Sequence, residues 1–256
     1  KRLSKGLATI PLSNGEILLK NLQNIVCHPR LFFAKMIKSA VFFGMIASVF
    51  RVGANLIILP FALLKLSNEE MVVWWAFIAL GAASQLSDFG FSPVITRAYS
   101  FLWAGASEYL KKGLAPSSEG NEPNYKDLSV LHCSVVKLYR ILAVIFTVLL
   151  LGLGSFYLQD GPFENIQNPG HIWIAWILYA LTMGWSLQMS YWEQAANGLN
   201  HVRTVQISNV AGGVGYVIVG ALLLYLDLGL MALSVAAACR VLLSRVICRM
   251  ACKDQL

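Results

Sequence analysis

The chain has 256 residues, of which 57% are hydrophobic and only 13% are charged, and its formal net charge is +7. Soluble domains carry about 25% charged residues, so this composition excludes a water-soluble globule or an excreted enzyme. The Lys and Arg residues fall almost entirely between long apolar blocks, where such residues set membrane orientation, and this distribution argues against a nucleic-acid partner.

A basic segment at residues 1–38 opens the chain, and its apolar runs are too short to span a bilayer. We predict that it is a cytoplasmic lead-in at the membrane surface. The apolar blocks that follow are long enough to cross a bilayer, and they predict an all-α, polytopic membrane protein with a six-helix lobe over residues 39–248. The predicted spans are residues 39–64, 71–94, 138–158, 171–192, 205–226 and 228–248.

The connections between these spans alternate in basic charge. The lead-in, the long polar connection Thr96–Tyr139 and the tail at residues 249–256 carry Lys and Arg, whereas the first, third and fifth connections carry one or none. Cytoplasmic loops have an excess of these residues, so both ends of the chain are predicted to be cytoplasmic. An even number of spans meets that requirement.

Arg51 lies near the middle of the first predicted span. A charge there costs about 2.5 to 3.5 kcal/mol on insertion scales, so the side chain should face the bundle interior or a water-filled cavity. Ser48 and Asn55 share its helical face, because they are three and four residues away. Two interpretations remain open. One is a cationic site for an anionic substrate, which suits a planar guanidinium, and the other is a structural ion pair between helices.

The second predicted span has a polar face formed by Gln85, Asp88 and Ser92. Helical rise places Asp88 about 9 Å nearer the cytoplasmic side than Arg51. That offset slightly exceeds the reach of an arginine side chain, so a direct ion pair needs helix tilt. The sequence leaves two further interpretations of Asp88: a proton or cation site, or the cap of a broken helix before Gly90.

A polar stripe along the fourth predicted span indicates either a wet cavity or hydrogen bonding between helices. The stripe consists of Thr182, Ser186, Ser190, Glu193 and Asn197. Glu193 lies close enough to the cytoplasmic end to be solvated, and with Asp88 it is a candidate for ion coupling. Arg240 is central in the sixth span if that helix continues to Cys248, and otherwise it belongs to the basic flank.

The sequence lacks the local motifs of several common classes of enzyme. It lacks a Gly-rich phosphate loop after a strand, an HExxH zinc site, a GxSxG elbow and paired catalytic carboxylates. Its cysteines have no CxxC spacing and no neighbouring histidine cluster to complete a metal site. We therefore predict no catalytic residue, no metal and no cofactor.

Two stretches go beyond general membrane character. One contains Leu59-Pro60, Leu66-Ser67-Asn68-Glu69-Glu70, Leu86-Ser87-Asp88-Phe89-Gly90-Phe91 and Thr96-Arg97, and the other is Ala196-Asn197-Gly198-Leu199-Asn200. This arrangement resembles the amino-terminal half of a Wzx-type polysaccharide flippase of the multidrug/oligosaccharidyl-lipid/polysaccharide exporter superfamily. The resemblance covers residues 39–248 and therefore all six predicted spans.

The resemblance implies a multi-pass protein of the bacterial inner membrane that moves an undecaprenyl-pyrophosphate-linked oligosaccharide to the periplasmic leaflet, for lipopolysaccharide O-antigen or another surface polysaccharide. It implies alternating access around a cationic cavity between two six-helix lobes. Membrane lipid, a polysaccharide polymerase and a chain-length regulator are the implied partners. Arg51 matches the cationic position of the first helix, and Asp88 and Arg97 match the polar end of the second. Because the second lobe is missing here, we expect either a truncated chain or an association of two chains.

Three other functions remain open. A cation-coupled multidrug exporter of the same superfamily favours an acidic, aromatic cavity, and Arg51 argues against it. A membrane-embedded glycan polymerase or ligase normally needs a large periplasmic loop, whereas the external connections predicted here are short. The third is a structural membrane subunit without transport activity. The candidate substrate-binding residues are Ser48, Arg51, Asn55, Gln85, Asp88, Arg97 and Arg240, with Asp88 and Glu193 as coupling candidates.

Overall fold

The computed structural model describes residues 40–105, 109–110, 113–114, 123–163, 170–253 and 255, and nearly all of them are helical. A π-helical turn at Leu150–Gly154 joins α4 to α5, and strands β1 (Tyr109–Leu110) and β2 (Gly113–Leu114) form a short antiparallel pair. The α-helices are α1 (Ala40–Lys65), α2 (Asn68–Leu86), α3 (Phe91–Trp103), α4 (Tyr125–Leu149), α5 (Ser155–Gln159), α6 (Gly170–Gln188), α7 (Tyr191–Gly198), α8 (Val202–Tyr225) and α9 (Leu230–Cys252).

Five helical segments of the described chain are long and apolar enough to cross a membrane, which confirms the predicted all-α, polytopic membrane fold. These segments are Gly44–Lys65, Tyr125–Gln159, Gly170–Gly198, Val202–Tyr225 and Leu230–Cys252. The predicted number of spans was six, and the difference lies at residues 71–94. That region is divided between α2 and α3, which are separated by a break at residues 87–90.

A capping box fixes the beginning of α2, three residues before the predicted start at Met71. The Ser67 hydroxyl accepts a hydrogen bond from the Glu70 N–H (3.2 Å), and the Glu70 carboxylate accepts one from the Ser67 N–H (3.0 Å). This reciprocal pair satisfies two amide groups that a helix start otherwise leaves without partners. Hydrogen bonding to the backbone at the same turn lowers the pKa of Glu69.

The helical segment at the third predicted span is longer than the residues 138–158 of that prediction. α4, the π-helical turn and α5 form a continuous segment of 35 residues. Its length is about 52 Å at helical rise, compared with about 30 Å for the hydrocarbon layer. The first turns of α4 therefore extend beyond the apolar layer, and the connection predicted at Thr96–Tyr139 is partly helical.

The helices pack as a bundle in which α8 lies between α1 and α9. α9 also contacts α6 and α7, α6 contacts α2 and α4, and α3 lies against α7 and α4. Buried aromatic rings fill the interior: the centre of the Phe77 ring is 5.0 Å from that of Trp176 and 5.4 Å from that of Tyr179. This aromatic layer joins α2 to α6.

Basic side chains gather at one end of the bundle, where α8 begins and α9 ends. We call it the basic end, and it carries Arg97, Lys126, Lys137, Arg140, Arg203, Arg245, Arg249 and Lys253. At the opposite end, Lys65 of α1 forms an ion pair with Asp227, which follows α8, at 2.7 Å. This pair ties the end of α1 to the connection between α8 and α9.

α3 and α7 form a compact unit with the start of α4 at the basic end. The Thr96 hydroxyl donates to Gln194 Oε1 at 2.9 Å, and Tyr99 Oη lies 2.9 Å from His132 Nδ1. Tyr99 is fully buried. These contacts connect parts of the chain that are far apart in sequence, which explains why no local pattern predicts the unit.

Gly198 allows the close approach of α3 and α7. A Cβ atom at this position would lie 2.8 Å from the Thr96 carbonyl oxygen and 3.2 Å from the Ser100 backbone nitrogen. Gly152 has open space around its Cβ direction and serves as a control. We expect Gly198→Ala to destabilise the protein by about 2 kcal/mol through overpacking, and Gly152→Ala to change stability by about 0.5 kcal/mol at most. Thermal unfolding in detergent measures both, and equal midpoints would contradict the close contact.

Candidate substrate cavity

A half-open cavity of about 540 Å³ lies between the helices, with walls formed mainly by α2, α6 and α9 and with two lining residues each from α7 and α8. This volume is typical of ligand pockets, which occupy about 300 to 1,000 Å³. Its charged lining residues are Asp88, Glu193, Arg240 and Arg245. Charged groups within membrane-spanning helices are costly and usually serve a function, so this cavity is the candidate site.

The part of the cavity nearer the opposite end is aromatic. Trp74, Tyr179 and Tyr216 line it, and all three are buried. The rings of Trp74 and Tyr179 meet edge to face, with centres 6.0 Å apart. Rings of this kind offer an apolar face together with a polar tip, so this part of the cavity suits an amphipathic ligand.

Arg240 lies between the aromatic part and the charged part of the cavity. It follows Leu230 by ten residues and precedes Cys252, where α9 ends, by twelve. The helix therefore continues beyond Cys248, which was the condition for a central position, and Arg240 is central in its helix. Its guanidinium carbon is 5.9 Å from the centre of the Tyr216 ring, a distance at which a cation is attracted to an aromatic face.

Glu193 and Arg245 form an ion pair in the charged part of the cavity. Arg245 Nη1 lies 2.5 Å from Glu193 Oε2. The Arg245 side chain is 15% exposed and the Glu193 side chain is 24% exposed. The pair connects α7 to α9 near the basic end. Glu193 is therefore engaged with a cation of the protein, as well as reaching the cavity.

Asp88 caps the start of α3, which was one of the interpretations of the sequence, and it also lies in the cavity wall. Its Oδ2 accepts a hydrogen bond from the Ser92 N–H (3.0 Å) near the start of α3, and its Oδ1 accepts one from Tyr139 Oη (2.7 Å). A carboxylate at a helix amino-terminus is stabilised by the unsatisfied amides and the helix dipole. These contacts hold Asp88 where the chain breaks at Phe89 and Gly90, both of which have positive φ.

The structure brings together some of the residues singled out in the sequence. Asn55, Asp88, Glu193 and Arg240 line the cavity, as do Ser186 and Ser190 of the polar stripe. Thr182 and Asn197 belong to that stripe but are not lining residues.

The remaining candidates lie elsewhere. Ser48 is exposed, and its hydroxyl donates to the Gly44 carbonyl at 2.9 Å, which satisfies it locally. Arg97 is exposed on α3 and does not line the cavity. The side chains of Arg51 and Gln85 lie outside the described residues.

Several cavity residues were not identified by sequence reasoning. Asn209 and Tyr216 are seven residues apart on α8, which places them on one helical face, and both line the cavity. That spacing is the signal that the sequence offers for them. Trp74 and Arg245, which no sequence pattern singles out, also line the cavity.

Within the described ranges, no group of three or more His, Cys, Asp or Glu side chains is arranged to hold a metal ion. No protein-family model, curated protein or solved structure matches the chain. The assignment of a function therefore depends on the cavity and its residues.

Proposed function

We propose that this protein translocates an undecaprenyl-pyrophosphate-linked oligosaccharide across the bacterial inner membrane for the synthesis of a surface polysaccharide. The observation that carries the proposal is Arg240, a guanidinium midway along a membrane-spanning helix that lines a polar cavity. A pyrophosphate that leaves bulk water needs a countercharge, and Arg forms strong, often bidentate hydrogen bonds with phosphoryl oxygens. The isoprenoid tail would remain in the bilayer.

The distribution of charge supports an orientation for this transport. Cytoplasmic segments of membrane proteins carry the excess of Lys and Arg, so the basic end faces the cytoplasm in our proposal. The charged part of the cavity then faces the leaflet from which the substrate comes. The Lys65–Asp227 pair would lie on the periplasmic side, beyond the aromatic part of the cavity.

In the proposed transporter, this bundle would pair with a second lobe. In transporters built from parallel repeats, the substrate site lies between the two halves near the membrane midplane. Arg240 lies midway along α9, so in the proposed transporter it would lie near that depth.

A cation-coupled multidrug exporter is the second candidate, because the aromatic wall and two carboxylates would suit an organic cation. However, Glu193 is paired with Arg245, and Asp88 accepts hydrogen bonds from Ser92 and Tyr139. An organic cation would therefore have to displace an existing contact of either carboxylate, which counts against this candidate.

Genetic complementation tests the proposal. The full gene, expressed with its neighbouring polysaccharide genes in a flippase-null strain, should restore surface polysaccharide on gels of cell-envelope extracts. The same strain should show no gain in resistance to cationic dyes. Absence of polysaccharide at normal membrane abundance would contradict the proposal, and dye resistance without polysaccharide would favour the multidrug exporter.

A further inference from the structure

Two buried polar atoms in the wall formed by α8 and α9 have no hydrogen-bond partner among the described residues. They are Tyr216 Oη and Asn209 Nδ2. Tyr216 is 2% exposed, and both residues line the cavity. Buried polar groups are nearly always satisfied, so each unsatisfied one requires an explanation. A ligand in the cavity would provide the missing partners.

The amide of Asn209 is oriented as a donor. Its Oδ1 accepts a hydrogen bond from the Ser244 hydroxyl at 3.4 Å, which leaves the Nδ2 hydrogens for another partner. Ser244 is itself buried on α9. The wall therefore offers an amide donor, a phenol and the Arg240 guanidinium, and this set suits a ligand rich in hydrogen-bond acceptors.

These groups follow one another along the cavity. Asn209 and Tyr216 are separated by seven residues, or about 10 Å of helical rise. Arg240 lies at the level between them, because Gly212 of α8 packs against its backbone, with only 2.8 Å between a Cβ built on Gly212 and the Arg240 carbonyl oxygen. A single phosphate is too short to contact both ends of this wall, whereas a diphosphate followed by a sugar ring has a comparable length.

We propose that the α8–α9 wall is a two-point binding site for a diphosphate-linked sugar, an inference that rests on the proposed function. Arg240 and Tyr216 Oη bind phosphoryl oxygens, and Asn209 Nδ2 binds an oxygen of the sugar next to the diphosphate. The anion contact supplies affinity for any lipid diphosphate. The Asn209 contact discriminates between a bare lipid diphosphate and one that carries a sugar.

Binding measurements on the protein in nanodiscs test this site with three probes. Isothermal titration calorimetry would compare farnesyl diphosphate, farnesyl-diphosphoryl-N-acetylglucosamine and inorganic pyrophosphate. We expect Tyr216→Phe to weaken both lipid probes about tenfold, because a hydrogen bond to a charged group is lost. We expect Asn209→Leu to weaken only the sugar-bearing probe, by about fivefold, because a neutral hydrogen bond is lost.

Ser234→Ala is the matched control. Ser234 Oγ is another buried hydroxyl without a partner in the described part of the chain, but Ser234 does not line the cavity. Its removal should leave the affinity for every probe unchanged. Neither Tyr216→Phe nor Ser234→Ala should lower the thermal midpoint, because each removes a hydroxyl that forms no hydrogen bond with the described residues.

The outcomes separate the inference from the proposed function. Unchanged binding in Tyr216→Phe would overturn the two-point site, and so would equal weakening of both lipid probes in Asn209→Leu. In either case, binding of farnesyl diphosphate to the wild-type protein would still support the proposed function. Inorganic pyrophosphate that bound as tightly as the sugar-bearing probe would also overturn it, since the site would then serve a free anion. If the wild-type protein bound none of the probes, both proposals would fall.

Discussion

Replacing Arg240 with leucine is expected to abolish restoration of surface polysaccharide in the flippase-null strain. The guanidinium is the charged group at the centre of α9 in the cavity wall, and hydrogen bonds to charged groups contribute about 1.5 to 3 kcal/mol each. Loss of two such bonds to a diphosphate would weaken binding by about a hundredfold or more. Arg240→Lys retains the charge without the planar fork and should restore part of the polysaccharide.

Membrane abundance distinguishes this loss of function from misfolding. A charged residue at the centre of a transmembrane helix opposes insertion by about 2.5 to 3.5 kcal/mol, so the leucine variant should insert at least as well as the wild type. Arg249→Leu is the matched control, because Arg249 is an exposed arginine of the same helix outside the cavity. Normal polysaccharide from Arg240→Leu would remove this residue from the mechanism.

Neutralising the two members of the Glu193–Arg245 pair should change the affinity for farnesyl diphosphate in opposite directions. Glu193→Gln leaves the Arg245 cation in the cavity and should strengthen binding, whereas Arg245→Gln leaves the carboxylate and should weaken it. Arg245 follows Arg240 by five residues, or about 8 Å of rise. A unit charge at about 8 Å interacts by about 2 kcal/mol at an effective dielectric constant of about 20. The two variants should therefore differ by about 4 kcal/mol, or several hundredfold.

Calorimetry on both variants measures this difference in affinity, and a variant in which the two charged residues are exchanged provides the control. Glu193→Arg combined with Arg245→Glu keeps the charges of the pair and should return the affinity toward the wild-type value. Thermal unfolding of the single variants should show a lower midpoint, because removing one partner leaves the other charge partly buried. Affinity changes of the same sign in both single variants would mean that the pair acts on the structure alone.

The lengths of the apolar blocks predict much of the fold. α1, α8 and α9 differ from the predicted spans by at most four residues at either end, because a window of about twenty apolar residues is a local property of the sequence. α3 was not predicted because it is short and carries polar residues, and in the structure it packs against α7. That partner lies about ninety residues away in the chain.

The candidate site was predictable where charge alone decides the position. Asp88, Glu193 and Arg240 are charged residues within or beside apolar blocks, where such residues usually serve a function, and all three line the cavity. The sequence left a solvated position open for Glu193 and the basic flank open for Arg240. Tyr216 and Trp74 were not identified, because an aromatic residue in an apolar helix has the same pattern whether it faces a core, lipid or a ligand. Only the arrangement of the neighbouring helices separates these cases.

The π-helical turn at Leu150–Gly154 has a consequence for comparing this crossing with those of other proteins. The turn takes up one residue more than an α-helical turn, so everything after it is rotated by about 100° relative to a regular continuation. A helical wheel drawn from residue 125 to 159 would place Ser155 away from the Trp176 indole, although that indole donates a hydrogen bond to its hydroxyl at 2.9 Å. An alignment of this segment with a regular α-helix therefore needs a gap of one residue within the π-helical turn. The helix geometry, and not residue similarity, fixes the position of that gap.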